Sequence, residues 1–336
     1  MDTPFKFILN YYDTQAELNK EYHMLFYPDD NSVEIHDPIK RRVFLKRMPL
    51  STIQLEDLVI GNSVDIHCRQ MKIMEYGDKH TQDYFQGNRQ CYYVIIPPNL
   101  FDSVGVILQY CLEQNIRPFK LRSVKIPTSY NSKISSVFSP QSPPSDGVSV
   151  LFEAVGSDVE SKLTSLQPKY PILTSSNPSL FYELISLPST AVYENCSLLI
   201  IRHHLEKLNV FGTILDTILH EGFDVTAIGS FHLDKSQACE FLEVYRGVLG
   251  EFDGWAKDLS MGQVVAVAIT GTPSVVNELR EWVGPIDPEI GRQLSPRSIR
   301  SIYGESRILN GVHVTDLAED GPLECQYFFD FMWNNN

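Results

Sequence analysis

Residues 281–329, EWVGPIDPEIGRQLSPRSIRSIYGESRILNGVHVTDLAEDGPLECQYFF, carry the strongest pattern in the chain. Within this run, the motif NGVHVTD at 310–316 sets His313 between an amide and a hydroxyl side chain, and Glu324 follows it. The neutral form of imidazole is well populated near neutral pH, so this side chain can accept a phosphoryl group and pass it on. The pattern therefore makes His313 a candidate nucleophile for phosphoryl transfer.

Charged side chains near this motif fit the same chemistry. Phosphoryl transfer needs positive charge around the migrating group, which Arg280 and Arg300 could supply. A carboxylate such as Glu324 could fix the imidazole tautomer, so that the other ring nitrogen faces the phosphate. Taken alone, the commoner interpretation is a lone histidine in a turn, with arginines scattered over a solvated surface. The surrounding residues decide between the two interpretations.

The order of motifs in this run resembles one protein family. Gly-Pro-x-Asp-Pro at 284–288, Ser-Ile-Arg at 298–300, the histidine motif and Glu-x-x-x-Phe-Phe at 324–329 follow one another. This combination closely resembles the C-terminal part of the nucleoside-diphosphate kinases, and residues 196–329 match their whole module. More narrowly, the chain is similar to a ciliary group of that family, which has two kinase modules behind an N-terminal domain called DM-ten. The resemblance covers nearly all of the chain.

The resemblance implies roles for particular residues. It gives His313 the role of phosphoryl acceptor and Glu324 that of its orienting carboxylate. The positions that match nucleotide-binding residues of the family are Arg202, Arg280, Arg300, Asn310 and Thr315. The implied cofactor is Mg²⁺ that arrives with the nucleotide and is held by its phosphates. No carboxylate cluster has metal-ligand spacing, so the prediction names no protein residue as a metal ligand.

Several positions depart from the family pattern. Residues 202–204 read Arg-His-His where the family has Lys-Pro-Asp, and a guanidinium is wider than an ammonium. Ile286 replaces a hydroxyl residue that helps to bind phosphate. The tyrosine position of the base-clamping helical pair falls near Leu242 or Glu243. Phe252 could replace the lost stacking platform, although an aromatic residue at that helical spacing is more often part of a core.

Between the two ends lies a second, degenerate copy of the module. Residues 92–96 read as a buried strand, and Pro97 stands at the family's lysine position, where it brings no charge and no backbone donor. The chain has no histidine between His80 and His203, so this copy cannot form a phosphohistidine. We interpret it as a structural pseudo-kinase module. Its Ser- and Pro-rich insert at 131–147 is predicted to be flexible, and 168–195 to be a linker.

The N-terminal part alternates short apolar strands with turn signals, a pattern typical of an antiparallel sheet or small barrel. The predicted fold class is multidomain α+β, with an antiparallel, pleckstrin-homology-like β domain followed by two ferredoxin-like nucleoside-diphosphate-kinase modules. The predicted domains are 1–90, 91–190 and 191–333. The tandem arrangement favours packing of the two modules against each other as an internal pseudo-dimer.

Composition excludes several classes of function. The formal net charge of -14 argues against nucleic-acid binding through a basic surface. The six cysteines are scattered without a CxxC pair, which is typical of reduced, buried thiols in a cytosolic protein. The N-terminus has no secretory apolar region and no run is long enough to span a membrane, so we expect a soluble intracellular protein without a membrane partner.

Two functions follow, from different classes. The first is a structural protein of ciliary doublet microtubules, as the resemblance implies, whose C-terminal module retains nucleotide binding or weak phosphotransfer through His313. Its partners would be tubulin and other axonemal doublet proteins, and it would be found in the axoneme, cytoplasm and cytoskeleton. The second is an active nucleoside-diphosphate kinase that converts ATP and a nucleoside diphosphate into ADP and a nucleoside triphosphate. Loss of the lysine in both modules favours the structural role.

Overall fold

The computed structural model describes the chain except at residues 1, 2, 14–17, 51, 52, 54, 56, 57, 59, 68, 87–89, 141, 142 and 336, and the side chains of 86, 206, 207 and 335. The chain forms two compact units. One contains residues 1–89 with 260–262, and the other contains 90–259 with 263–336. The predicted domain boundaries at 90 and 190 stay predictions.

The first unit contains an antiparallel sheet with six strands among its described residues, in the order β4-β3-β2-β1-β6-β5. The strands are β1 (Phe5–Asp13), β2 (Leu18–Tyr27), β3 (Ser32–Asp37), β4 (Arg42–Pro49), β5 (Ser63–Ile66) and β6 (Arg69–Tyr76), and helix α1 (Lys79–Gln86) follows. Along β1, Phe5, Phe7 and Leu9 are buried in turn while the residues between them are more exposed. This alternation gives the sheet one apolar face.

The second unit is built on a sheet with eight described strands, in the order β10-β7-β9-β8-β12-β13-β11-β14. They are β7 (Gln90–Ile96), β8 (Arg117–Lys125), β9 (Val148–Gly156), β10 (Leu173–Ser175), β11 (Cys196–Ile201), β12 (Asp224–His232), β13 (Gln263–Thr270) and β14 (Val312–Val314). Every residue of β11 is buried, because helices cover both faces of the sheet. Its run of apolar residues from Leu198 to Ile201 is typical of a strand that is buried on both faces.

The sheet divides the core of this unit into two layers, and helices cover each layer. They are α2 (Val104–Glu113), α3 (Asn131–Val137), α4 (Val159–Leu166), α5 (Pro178–Ile185), α6 (His203–Lys207), α7 (Phe211–His220), α8 (Lys235–Phe241), α9 (Phe252–Leu259), α10 (Val275–Val283), α11 (Pro288–Leu294), α12 (Ile299–Tyr303) and α13 (Gly321–Gln326). A π-helical stretch (Tyr327–Met332) and the last turn α14 (Trp333–Asn335) extend α13. Helices α2, α4, α7 and α10 pack on one face, and α3, α5, α8, α9 and the C-terminal helix on the other.

The unit consists of two halves with the same strand arrangement. The order β10-β7-β9-β8 of the first half matches β14-β11-β13-β12 of the second, and all these neighbours are antiparallel. The fold prediction of an antiparallel β domain followed by two ferredoxin-like modules is therefore confirmed. The described residues contain no helix long and apolar enough to cross a membrane.

The two halves meet along the sheet and between two helices. Strand β8 pairs with β12 at Arg122 and Gly229, which makes one continuous sheet. A Cβ atom on Gly212 of α7 would lie 2.5 Å from the backbone nitrogen of Gln109 in α2, and one on Gly105 would lie 2.3 Å from that of Asp216. The glycines therefore let α2 and α7 approach backbone to backbone. The halves pack as the internal pseudo-dimer that the tandem arrangement suggests.

Two segments differ from their predictions. In the insert predicted to be flexible at 131–147, residues 141 and 142 lie outside the described residues, but 131–137 form α3. Ile134 and Phe138 are buried in the core, and the backbones of Ser139 and Thr174 exchange two hydrogen bonds, so this part is ordered. The predicted linker at 168–195 contains β10 and α5, because its apolar residues complete the first half of the sheet.

The cysteines are less uniform than predicted. Cys111, Cys196 and Cys325 are buried, but Cys239 is partly exposed and Cys91 is exposed at the start of β7. Cys68 lies outside the described residues. Burial raises the pKa of the Cys111 thiol to about 12, which makes it inert.

Candidate functional site

His313 lies in the middle of β14, the edge strand of the C-terminal half. Its neighbours Val312 and Val314 face one core layer, so the imidazole faces the other. The ring makes edge contacts with Phe241 at 5.1 Å and with Tyr245 at 6.3 Å between ring centroids. The strand thus holds the candidate nucleophile almost completely buried against two aromatic rings, with 8% of its surface exposed.

Glu324 holds one nitrogen of this imidazole. Its Oε2 lies 3.1 Å from His313 Nε2 and accepts a second hydrogen bond of 2.8 Å from the hydroxyl of Thr315. That hydroxyl in turn accepts a hydrogen bond from the backbone N–H of Leu198. An ionised carboxylate only accepts, so Nε2 carries the proton and Nδ1 keeps its lone pair. The structure therefore brings together His313, Thr315 and Glu324 and leaves the lone pair of Nδ1 free of this set.

Arg300 is a buried cation close to the imidazole. Its guanidinium donates to the carbonyl oxygens of Gly284 and Val312 at 2.9 to 3.3 Å. Burial lowers the pKa of Arg300 to about 10, and the more distant Asp316 opposes this shift. Among the described residues, the hydrogen-bond acceptors of this guanidinium are neutral carbonyl groups. Such a cation is ready to bind an anion.

Arg202 is also buried, but its charge is compensated. Its Nε lies 2.7 Å from Asp258 Oδ2 in an ion pair that is out of line for a hydrogen bond. The other nitrogens donate to the backbone of Ile308 and Trp255 and to the side chain of Asn310. Burial lowers the pKa of Arg202. The predicted phosphate-binding role of Arg202 stays a prediction, and in this structure the side chain holds other parts of the protein.

His204 extends this network. Its Nδ1 donates to both carboxylate oxygens of Asp258, at 3.0 and 3.1 Å, and its Nε2 accepts a hydrogen bond of 3.0 Å from Gly311 N–H. Burial acts to raise the pKa of Asp258, but Arg202 and His204 outweigh burial and leave this pKa below its usual value. Arg202 and His204 thus hold the loop that precedes His313 through hydrogen bonds to residues 308–311. Sequence reasoning missed Asp258, which no local motif marks.

Arg280 and Tyr245 meet at Asp316. Arg280 donates to the Asp316 carbonyl at 2.8 Å and lies 3.3 Å from its carboxylate, while the Tyr245 hydroxyl donates to that carboxylate at 2.7 Å. Burial raises the pKa of Tyr245. The family resemblance places the tyrosine of the base-clamping helical pair near Leu242 or Glu243. Helix α8 ends at Phe241 and a 3₁₀ turn follows, which brings Tyr245 to the imidazole instead.

Two cavities adjoin the site. A cleft of about 550 Å³ is lined by Arg280, Arg300, Arg307 and the segment from Gly284 to Asp287. A cavity of about 20 Å³, enough for one water molecule, lies between His313, Arg202, Arg300 and Asn310. Phe252, the proposed replacement for the stacking platform, is buried in the core instead. The cleft is large enough for a nucleotide, whereas the cavity beside the imidazole is closed.

The degenerate half has no counterpart of the imidazole. His313 pairs with Ile200, the penultimate residue of β11, and Leu173 pairs with Ile95, the penultimate residue of β7. Leu173 therefore takes the register position of the histidine. A leucine side chain cannot be phosphorylated, so this half lacks a nucleophile at the equivalent position.

Comparison with known proteins extends over both units. The *Mus musculus* protein described as nucleoside diphosphate kinase homolog 7 is 32% identical to this chain, over 98% of the chain and 94% of the relative. This chain belongs to the nucleoside diphosphate kinase homolog 7 family. The *Rattus norvegicus* homolog 7 is 31% identical, with the same coverage.

Other comparisons cover a smaller part of this homolog 7 family member. The family model described as nucleoside diphosphate kinase matches residues 195–332. The *Aquifex aeolicus* nucleoside diphosphate kinase is 31% identical over 40% of this chain and 92% of its own length. A crystal structure of that kinase covers 40% of this chain and 95% of its own, at 30% identity and a TM-score of 0.39. Residues 195–332, which the family model matches, include the whole His313 site.

Proposed function

We propose that the C-terminal half is a nucleoside-diphosphate-kinase-type phosphotransferase that carries the phosphoryl group on His313. The observation that supports this most directly is the hydrogen-bonded set of Glu324, Thr315 and His313. It fixes the tautomer with a free lone pair on Nδ1.

In the proposed reaction, Nδ1 of His313 attacks the γ-phosphorus of ATP. The bond from that phosphorus to the bridging oxygen breaks, ADP leaves with the electron pair, and Glu324 stabilises the charge on the imidazole. A terminal phosphate oxygen of a nucleoside diphosphate then attacks the phosphohistidine, which releases neutral His313 and a nucleoside triphosphate. Arg300 and Arg280 stabilise the negative charge of the transferring group.

Nucleotide binding requires a local rearrangement. The cavity beside the His313 imidazole has a volume of about 20 Å³, which is too small for a phosphoryl group. Arg280 is more easily displaced than the buried arginines, because 44% of its side chain is exposed and Asp316 is its partner. We expect the triphosphate to enter from the cleft that Arg280 and Arg300 line, with movement of the side chains around Asn310.

In this proposal, Mg²⁺ enters the site bound to the phosphates of the nucleotide. The described residues contain no group of three or more His, Cys, Asp or Glu side chains that could hold a metal ion. Mg²⁺ is usually bound through one or two carboxylates together with substrate phosphates, and Asp316 is a carboxylate at the cleft. Bound Mg²⁺ would neutralise phosphate charge, while the protein residues position the nucleotide.

The replacement of the hydroxyl residue by Ile286 points to a slow enzyme. A lost hydrogen bond to a charged group costs about 1.5–3 kcal/mol. If that loss falls on the transition state, it slows turnover by roughly one to two decades. We therefore expect transfer well below the rate of a family member that keeps the hydroxyl and the lysine.

The test of this proposal is formation of GTP from ATP, Mg²⁺ and GDP by the purified chain. We expect slow GTP formation by the wild type, none by His313→Ala, and a reduced rate for Glu324→Gln because the tautomer is no longer fixed. GTP formation that His313→Ala leaves unchanged would refute the proposal, as would its absence from the folded wild type.

A second, compatible function is suggested by the state of the lysine site. Arg202 is engaged with Asp258, and Leu173 replaces the histidine in the other half. These features are typical of a protein with a structural role. We propose, from the resemblance, that residues 1–90 form a DM-ten domain and that the chain is a structural component of ciliary doublet microtubules, with tubulin and axonemal proteins as partners.

Fractionation of ciliated cells tests the structural role. We expect the tagged chain to stay with salt-washed axonemal doublets, and His313→Ala to behave in the same way, because the role does not depend on transfer. Recovery of the wild-type chain in the soluble cytoplasmic fraction alone would contradict this role.

A further inference from the structure

One continuous helical segment connects the imidazole site to the degenerate half. It begins with α13, continues through the π-helical stretch and ends with α14. Glu324 lies near its beginning, and Trp333 lies nine residues later, in the last turn. Cys325, Phe328, Phe329, Met332 and Trp333 are buried along this segment.

The far end of the segment is held by the degenerate half. Arg122 of β8 donates a hydrogen bond of 2.6 Å to the Trp333 carbonyl, and its guanidinium lies 4.3 Å from the centre of the indole ring. The indole N–H donates to the carbonyl of Leu187, in the segment after α5. Arg122 and Trp333 are both almost completely buried. The contact therefore combines a charge-assisted hydrogen bond with a desolvated cation–π interaction.

The sheet is shaped to admit this contact. Gly229, which pairs with Arg122 across the junction of the halves, lies directly beneath the tryptophan. A Cβ atom on Gly229 would lie 3.1 Å from the Trp333 ring and 2.8 Å from that of Phe231. The indole thus occupies a fitted position on the junction, and the end of the helix has little freedom to shift.

The π-helical stretch lies between the two ends. A π-helix contains more residues per turn than an α-helix, and such stretches are rare and are frequently found at functional sites. Here the altered pitch lies where Phe328, Phe329 and Met332 all enter the core. The direction of Trp333 and the position of Glu324 are therefore linked through a segment with an unusual helical register.

We propose that Arg122 of the degenerate half is a positioning residue for the Glu324–His313 pair and acts through Trp333 and the C-terminal helix. This inference rests on the proposed phosphotransfer and gives the degenerate half a part in it. When Arg122 holds Trp333, the helix keeps Glu324 within hydrogen-bond distance of His313 Nε2. When that hold is lost, the carboxylate shifts and the tautomer of His313 is no longer fixed.

The test combines imidazole ¹⁵N resonances with the rate of protein phosphorylation. Arg122→Met keeps a long apolar side chain but loses the donors and the charge. Lys125→Met is the matched control, since it removes an exposed cation from the same strand. Glu324→Gln defines the ¹⁵N resonances of His313 without its carboxylate, and His313→Ala identifies those resonances.

We expect Arg122→Met to move the His313 ¹⁵N resonances toward those of Glu324→Gln and to slow phosphorylation about two- to thirtyfold. In the Glu324→Gln background, Arg122→Met should cause no further slowing, because both changes act on one interaction. Lys125→Met should match the wild type. If Arg122→Met does not fold, Trp333→Phe, which loses the indole donor to Leu187 and part of the ring surface that faces Arg122 but keeps the carbonyl that Arg122 binds, should show a smaller shift in the same direction.

The proposal is overturned if folded Arg122→Met keeps the wild-type His313 resonances, or if its effect on rate multiplies independently with that of Glu324→Gln. The ¹⁵N measurement does not depend on turnover. A wild type with fixed His313 resonances but no phosphorylation would therefore refute the proposed function, while the positioning role of Arg122 would still be decided by its own variant.

Discussion

Arg202 and Arg300 are both buried guanidinium groups beside His313, but their partners differ. Asp258 neutralises Arg202, whereas Arg300 is held by the carbonyls of Gly284 and Val312. A buried ion pair and a buried cation held by carbonyl dipoles respond differently to an arriving anion. At the scale of residues, Arg202 therefore stabilises the loop before His313, and Arg300 is the cation that a phosphate would meet.

The first prediction concerns the Arg202–Asp258 pair. Arg202→Met should lower the free energy of unfolding by about 3–5 kcal/mol, because it leaves the Asp258 carboxylate buried without its cation. Urea denaturation measures this loss. The control is Arg246→Met, which removes an exposed partner of Glu243 and a cation–π contact with Phe252 and should change stability by at most ~1 kcal/mol. Equal effects of the two substitutions would contradict the assignment.

The second prediction concerns pH. Since the folded pKa of Asp258 lies below its unfolded value of about 3.9, its ionisation stabilises the fold above that value. This contribution is lost as the pH falls through the folded pKa. The difference in unfolding free energy between wild type and Asp258→Asn should be largest near neutral pH and narrow below about pH 4. Urea denaturation from pH 3 to 7 measures it, and a difference that stays constant would disprove the prediction.

How far the sequence predicts the site depends on the distance between partners in the chain. His313, Thr315 and Glu324 lie close together in sequence, and the structure brings them into contact. No local motif marks Asp258. It becomes the partner of Arg202 and His204 only in the folded chain, where α9 lies beside the residues that follow β11. Tyr245 was missed because a 3₁₀ turn rotates it toward the imidazole, and helical spacing does not reveal such a turn.

At the scale of elements, the crossing of α2 and α7 depends on two small residues. Gly105 and Gly212 lie where the two backbones approach too closely for any side chain. The amide of Gln109 adds hydrogen bonds to the backbones of Thr213 and Asn209 across the same crossing. The crossing therefore joins the two halves through their backbones.

Substitution of Gly212 tests this crossing. In Gly212→Ala the new Cβ would lie 2.5 Å from Gln109 N and 2.8 Å from the Gly105 carbonyl oxygen. Because the clashes are with backbone, we expect a loss of about 1–3 kcal/mol of stability, measured as the urea midpoint. Gly250→Ala is the control, since nothing lies within 4 Å of its added Cβ. A Gly212→Ala protein as stable as this control would show that the helices can separate without cost.

Two of the elements that the sequence failed to predict, α3 and β10, are short and have little apolar surface. Residues 131–140 contain many serines, and their order depends on the burial of Ile134 and Phe138 against α5. Strand β10 is three residues long and is defined by its pairing with β7. Local composition indicates flexibility in such segments, because tertiary packing supplies the stabilising contacts. The long apolar strands were predicted correctly for the converse reason.

At the scale of the whole second unit, one sheet serves both halves. The resemblance to a tandem kinase predicts two modules, but not the pairing of β8 with β12 that joins them. The C-terminal helix reinforces this junction, since Trp333 contacts Arg122 and the carbonyl of Leu187. The half without a histidine is thus part of the support of the half that has one.

This arrangement predicts cooperative unfolding of residues 90–336. A chain that starts at Gln90 contains both core layers of this unit and should fold. Because the sheet and the α2–α7 crossing are shared, we expect one calorimetric peak. Gly212→Ala should lower its midpoint without splitting it. Two resolved peaks in the unsubstituted chain would mean that the halves unfold independently.

The most direct test of the central claim is a single-turnover reaction with γ-labelled ATP and Mg²⁺. The account predicts acid-labile, alkali-stable label on His313 of the wild-type chain, released on addition of GDP and absent from His313→Ala. Folded wild-type protein that acquires no label, or label that persists in His313→Ala, would contradict the assignment of His313 as the phosphoryl carrier.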